Sequence, residues 1–271
     1  MSSSSGYRAH HYLMCRPTHF DVTYSINPWM DPARPTSGDR SLAQWKWLHD
    51  LFADLGHRVD LIEPVPGLPD MVYAANGGFT LDGRALVSRF RHAERAGEAR
   101  HYGDWFRRQG RFDVRDAAFV NEGEGDFLLA GDVILAGRGF RSDPRSHRET
   151  AGFLGREVIG LTLVDPRFYH LDTALAVLGD HDVMYFPAAF DPASREILAA
   201  RFPGAILAEE PDALVFGLNA VSDGRHVVLP EQAPRLAAQL RERGWVPITV
   251  DLSELLKGGG GIKCCTLELR T

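Results

Sequence analysis

Gly78-Phe79-Thr80-Leu81-Asp82-Gly83-Arg84-Ala85-Leu86-Val87 reads as a tight β-hairpin. Two apolar runs flank an Asp-Gly pair, which favours the positive-φ backbone of a two-residue turn. Three similar pairs sit between β-rich runs: Gly131-Asp132, Gly179-Asp180 and Asp223-Gly224. The turns begin at 82, 131, 179 and 223, at spacings of 49, 48 and 44 residues. A recurrence of this length marks a repeated structural unit.

Helical patterns fill the gaps between hairpins. Residues 41–55 open on a capping-type Ser41 and place Leu42, Trp45, Leu48 and Phe52 at helical spacing. Further helices are expected over 94–109, 145–154, 193–202 and 231–243. Short strands follow several of them, at 58–62, 157–161, 205–207 and 246–250. The unit is hairpin, helix, strand. A fifth copy is split between the termini, with 262–269 beside 12–16. Pairing the chain ends closes a ring and removes exposed sheet edges. From the pattern alone an ordinary mixed α/β sheet is an equal alternative. Residues 1–8 read as a loose tail and 9–271 as one domain, because no linker or composition shift divides the chain.

Composition narrows the classes. Of 271 residues, 44% are apolar and 24% charged, which is ordinary for a soluble domain. The formal net charge is −6, so no basic excess points to nucleic acid. No run of 18 apolar residues predicts a membrane span. Nothing resembles a secretory leader, so a cytoplasmic location is expected. Cys15, Cys264 and Cys265 make no disulfide framework, and the spacing suits no zinc site. If 264 and 265 lie on a strand, they face opposite sides. The reading needs no metal or cofactor, and it is compatible with a homo-oligomer.

The polar residues share one phase of the repeat. Asn76, Glu122, His170 and Asn219 each precede a hairpin's first strand, and Cys264 has that place in the last copy. Their intervals are 46, 48, 49 and 45 residues. In a ring, equivalent positions gather at one end of the axis. A thiol, an imidazole and carboxylates would then converge. Each has a plainer reading alone: Cys264 as a small buried hydrophobe, His170 as a satisfied histidine, Glu122, Glu124 and Asp126 as a solvated acidic turn, Asn76 and Asn219 as turn residues. All of them falling at one phase favours a site. A thiolate attacks an electrophilic carbon, and a histidine protonates the leaving group and then activates water. The surrounding acids, with Asp172 and Asp70, suit a cation such as a guanidinium.

These residues resemble the guanidino-group-modifying superfamily of dimethylarginine dimethylaminohydrolases, arginine deiminases and amidinotransferases. The similarity spans nearly the whole chain. It rests on His170-Leu171-Asp172-Thr173, on Gly260-Gly261-Ile262-Lys263-Cys264-Cys265-Thr266 and on Glu122-Gly123-Glu124-Gly125-Asp126. The resemblance implies a five-bladed α/β propeller, the pentein fold, and a small guanidino substrate. It implies a covalent intermediate on Cys264, proton transfer by His170, and Glu122 as the acid that binds guanidinium and steadies His170. Asp172, Asp70, Glu124, Asp126, Asn219, Asn76 and Asn27 would bind substrate, and Arg95 and Arg141 would grip the α-carboxylate. The acidic element is one residue longer than in mammalian relatives, which leaves Glu122 and Glu124 as alternatives. Asn76 replaces an acid, and Tyr24-Ser25-Ile26-Asn27-Pro28-Trp29-Met30 accompanies it. Both features resemble the arginine dihydrolase branch, which implies arginine to ornithine as the leading reaction and methylarginine to citrulline as the alternative. Amidinotransfer and a silent arginine-binding module rank below these.

Overall fold

The computed structural model describes residues 6–271, so the first five residues of the expected tail lie outside the described residues. Five three-stranded sheets form the fold. Blade one is Gly78–Leu81, Arg84–Val87 and Asp113–Asp116; blade two is Phe127–Ala130, Val133–Arg138 and Glu157–Thr162. Blade three is Leu175–Val177, Val183–Tyr185 and Ile206–Leu207; blade four is Val221–Ser222, His226–Pro230 and Val246–Val250. In each, the first strand pairs antiparallel with the second and the second parallel with the third. Blade five repeats this from both ends of the chain: Leu267–Glu268 pairs antiparallel with His11–Cys15, which pairs parallel with Arg58–Ile62. The ring is therefore the five-bladed pentein propeller, and the mixed-sheet alternative falls.

Parallel neighbours need a long crossover, and a helix supplies it in every blade. These helices are Gly38–Asp54, Glu98–Gln109, Pro144–Leu154, Pro192–Arg201 and Pro234–Glu242. Four of them pack on the third strand of their own blade, as Pro144–Leu154 does on Glu157–Thr162. The first strands touch their neighbours across the axis: Leu267–Glu268 meets Gly78–Leu81, and Leu175–Val177 meets both Phe127–Ala130 and Val221–Ser222. Residues just before the first strands thus collect at one end of the axis. The turns at Gly131, Gly179-Asp180 and Asp223-Gly224 collect at the other, around a cavity of about 390 Å³.

Several local expectations change. Asp82 and Gly83 both take positive φ, at 49° and 71°, as the first turn requires. The third hairpin uses a longer loop between Val177 and Val183, closed by Leu178 N–H donating to Asp182 O. Ser37, not Ser41, caps the first helix, and Leu42 is exposed. Asp113–Asp116, an edge strand of mostly charged residues, carries no apolar alternation and was not anticipated. The expected strand over 262–269 shrinks to Leu267–Glu268. Residues 262–265 wind into turns, with Cys265 N–H bonded to Gly261 O, so Cys264 and Cys265 do not alternate across a sheet. Arg8 in the expected tail is tied down by its N–H to Asp223 O at 2.7 Å and its guanidinium to Asp180. Among the described residues, no helix is long and apolar enough to cross a membrane.

Candidate active site

Five loops bring the phase-matched residues together. Cys264 is 2% exposed, and its thiol donates to Asp172 Oδ2 at 3.3 Å. Asn219 clamps Cys264 from both sides: its Nδ2 reaches Cys264 Sγ at 3.1 Å, and its Oδ1 accepts from Cys264 N–H at 3.1 Å. The same amide donates to Asp172 O, which locks Asp172 against the sulfur. Burial pushes the Cys264 thiol well up, and the neighbouring Asp172 adds to this. Cys264 therefore rests as a thiol, and a nearby cation would favour its thiolate.

His170 sits on the next loop. Its Nε2 lies 2.7 Å from Glu122 Oε2. Burial raises the Glu122 carboxyl, but Arg141, His170 and Arg95 together reverse this and hold it well below the usual range. An ionised Glu122 only accepts hydrogen bonds, so Nε2 carries the proton. That leaves Nδ1 without a proton, buried and without a hydrogen-bond partner.

Two carboxylates complete the pocket. Asp172 Oδ1 and Asp70 Oδ1 are buried and unpartnered. Burial raises both groups, Asp172 up to about 7. Unpaired buried acceptors are costly, and the unpaired imidazole nitrogen of His170 is a third such atom on these loops. A guanidinium carries five N–H donors that match these acceptors.

No family model matches the chain. It is 57% identical over 262 residues to the N(G),N(G)-dimethylarginine dimethylaminohydrolase of Mycobacterium tuberculosis, covering 97% of this chain and 86% of that one. The chain belongs to the guanidino-group-modifying superfamily. It is 40% identical over 264 residues to the bifunctional arginine dihydrolase/ornithine cyclodeaminase ArgZ of Synechocystis, covering 95% of this chain but 37% of that relative's length. The substrate-bound crystal structure of the ArgZ N-terminal domain superposes with a TM-score of 0.92 at 39% identity, covering 96% of this chain and 98% of that one. A dimethylarginine dimethylaminohydrolase adduct, at 20% identity and a TM-score of 0.78, shares the fold. The protein is a hydrolase of guanidino C–N bonds.

Other anticipated residues of this hydrolase stand back from the unpaired atoms. Glu124 is buried and saturated: Oε2 accepts from Lys263 Nζ at 2.6 Å and Glu268 N–H at 2.9 Å, and Oε1 pairs with Arg270. Asp126, pushed up to about 6 by burial, accepts from Ser142 at 2.6 Å and from Leu171 N–H at 3.2 Å. It holds the backbone beside His170 rather than facing a ligand. Arg95 forks onto Glu98 at 2.8 and 2.9 Å and donates to Asn76 Oδ1 at 2.8 Å. Asn76 in turn donates to Glu122 O at 3.2 Å. Asn27 bonds Gly258 O, Trp29 N–H and Met30 N–H, so it ties two covering segments together. Arg141 bridges Glu122 and Ile26 O while stacking 4.6 Å over Tyr169.

Three tyrosines escaped the sequence reading. Tyr24 donates to Asp70 Oδ2 at 2.8 Å, Tyr169 to Gly259 O at 2.5 Å and Tyr73 to Leu255 O at 2.6 Å. Their signal was adjacency: Tyr169 precedes His170, and Tyr24 opens the segment already singled out. They pin the 24–30 and 258–261 segments over the site.

Proposed function

We propose that the enzyme hydrolyses free L-arginine to ornithine, two ammonia molecules and CO2. Support for a guanidinium ligand comes from the buried, unpartnered oxygens of Asp70 and Asp172, the latter beside the Cys264 sulfur. In this reading the cation docks on those oxygens and on Glu122. Its charge favours transfer of the Cys264 proton to His170 Nδ1. The sulfur adds to the guanidinium carbon, and the adduct expels ammonia as His170 Nδ1 supplies a proton. Water, deprotonated by the same nitrogen, adds to the amidino thioether and releases the thiolate. The product at that stage is citrulline.

A second cycle distinguishes the leading reaction. Cys264 adds to the ureido carbon, a second ammonia leaves, and water releases a carbamate that loses CO2 to give ornithine. Asn76 favours this reading. A neutral amide there, held by Arg95 and the Glu122 carbonyl, adds no further anion and suits an uncharged ureido group. Arg141 keeps N–H groups beyond its two bonds and serves as the α-carboxylate grip, whereas Arg95 is largely engaged.

Methylarginine hydrolysis to citrulline is the second reading, favoured by the 57% identity to the mycobacterial dimethylaminohydrolase. A product assay with arginine, monomethylarginine and dimethylarginine separates the two. Ornithine and two equivalents of ammonia from arginine are expected; a stop at citrulline, or turnover of methylarginines alone, would overturn the leading reaction.

A further inference from the structure

Glu98 opens the crossover helix Glu98–Gln109 and is fully buried. Its carboxylate accepts both arms of the Arg95 fork, Nε at 2.8 Å and Nη2 at 2.9 Å. Nη2 also donates to Asp70 O at 3.2 Å, and the guanidinium lies 4.8 Å from the centre of the Phe90 ring. Held on these sides, Arg95 presents Nη1 to Asn76 Oδ1 at 2.8 Å. A chain of direct hydrogen bonds therefore runs from Glu98 to the loop that carries Asn76.

That chain sets a polarity. Arg95 can only donate, so the Asn76 atom facing it must be the oxygen. Glu122 O can only accept, so the atom facing it must be Nδ2, at 3.2 Å. Nδ2 carries two hydrogens, and the second remains for a ligand. The amide nitrogen also borders the site. A Cβ on Gly125 would overlap Asn76 Nδ2 and stand 3.2 Å from His170 Nδ1, so the amide and the imidazole flank one gap that glycine keeps open. A spare N–H there does nothing for a guanidinium, whose nitrogens only donate. A ureido group has a carbonyl oxygen, which accepts it. With the amide turned over, an oxygen would face the gap; that suits the first cation and opposes the neutral intermediate.

We propose that Glu98 is a positioning residue for the second cycle: by locking the Arg95 fork it fixes the Asn76 amide with its nitrogen toward the ureido oxygen. The role rests on the arginine-to-ornithine reading above. Glu98→Gln puts an NH2 group against one arm of the fork and releases Arg95. With citrulline supplied as substrate, kcat/KM falls about tenfold, the worth of one hydrogen bond. Arginine is still consumed, and its product shifts from ornithine toward citrulline. On the Asn76→Asp background both outer atoms are oxygens, no polarity is left to set, and Glu98→Gln adds no further shift. A residue that only braces the fold adds its own loss in both backgrounds. An unchanged product ratio in folded Glu98→Gln, or an equal further shift on Asn76→Asp, overturns the proposal. Should Glu98→Gln fail to fold by circular dichroism, Arg95→Met/Glu98→Leu decides, since it replaces the buried pair with apolar chains. A shift toward citrulline in that variant supports the role, and a wild-type ratio overturns it.

A crystal structure of the folded variant separates the role from the reaction. Glu98→Gln should show Asn76 turned, or parted from Arg95; an unmoved Arg95–Asn76 contact overturns the positioning. Wild-type enzyme that stops at citrulline sinks the second cycle and the use of the Asn76 amide in it. Glu98 as the residue that aims Asn76 then stands or falls on that structure alone.

Discussion

The two ends of the propeller axis are both lined with buried charge, yet they differ in how that charge is finished. At the turn end, Glu124, Lys263, Arg270, Glu268 and His10 satisfy one another. At the loop end, Asp70, Asp172 and His170 each keep an unpartnered atom. Polar groups deep in a protein are normally paired, so an incomplete set is a mould of what binds there. The finished end suits a brace for the ring; the unfinished end is the proposed seat of the chemistry.

The comparison breaks most visibly at the nucleophile. Cys264→Ser should lower turnover by more than about 10⁴-fold, since removing a nucleophile disables the whole catalytic unit. Arginine binding should persist in that variant by calorimetry; loss of both would make Cys264 a structural residue. Next, Asp172→Asn should cut kcat/KM about 100-fold while leaving the melting temperature unchanged or higher, because an incompletely paired buried carboxylate is removed. Glu124→Gln at the finished end should do the reverse. A loss of about 2 kcal/mol by urea titration is expected, with turnover at optimal pH largely kept. Equal stability losses at the two ends would erase the distinction.

Acidity sharpens the same contrast. In the proposed reaction the guanidinium bonds ionised Asp172, whose carboxyl is raised to about 7. Below that value kcat/KM should rise about tenfold per pH unit and level off above it. In the absence of substrate the sign for stability is opposite: a raised folded value gives a contribution fully present below the ordinary carboxylate range and lost as pH climbs through about 7. Glu268 at the finished end is held at about 2, chiefly by Arg270 and His10 overcoming its burial. Its contribution is present above its unfolded value and lost as pH falls toward 2. Substrate should therefore rescue alkaline, not acid, unfolding in thermal melts. The smallest expected effect is at Asn76: Asn76→Asp should shift part of the product from ornithine to citrulline, read by amino-acid analysis, while arginine consumption changes only a few-fold.

Much of this was legible because the repeat speaks through turns and phase. Asp82-Gly83 took the geometry its residues demand, and Asn76, Glu122, His170, Asn219 and Cys264 met where equal phase placed them. Other features depend on facts a linear reading lacks. Asp113–Asp116 is a strand because Arg84–Val87 offers it a parallel edge, not because its own residues alternate. Gly179-Asp180 sits within a longer loop, since neither residue takes positive φ there. Glu122 and Glu124 are two residues apart on one loop and face different ends of the axis. Only the partners, His170 and Arg141 for one and Lys263 and Arg270 for the other, tell them apart.

The clasp between Leu267–Glu268 and His11–Cys15 has a consequence for biosynthesis. The other side chains of the site are made by residue 219, but the reactive sulfur leaves the ribosome together with the segment that shuts the ring. A nascent chain lacking that segment has its imidazole and its acids but not the proposed nucleophile, and on that proposal it stays inert toward a guanidino substrate until the circle is joined.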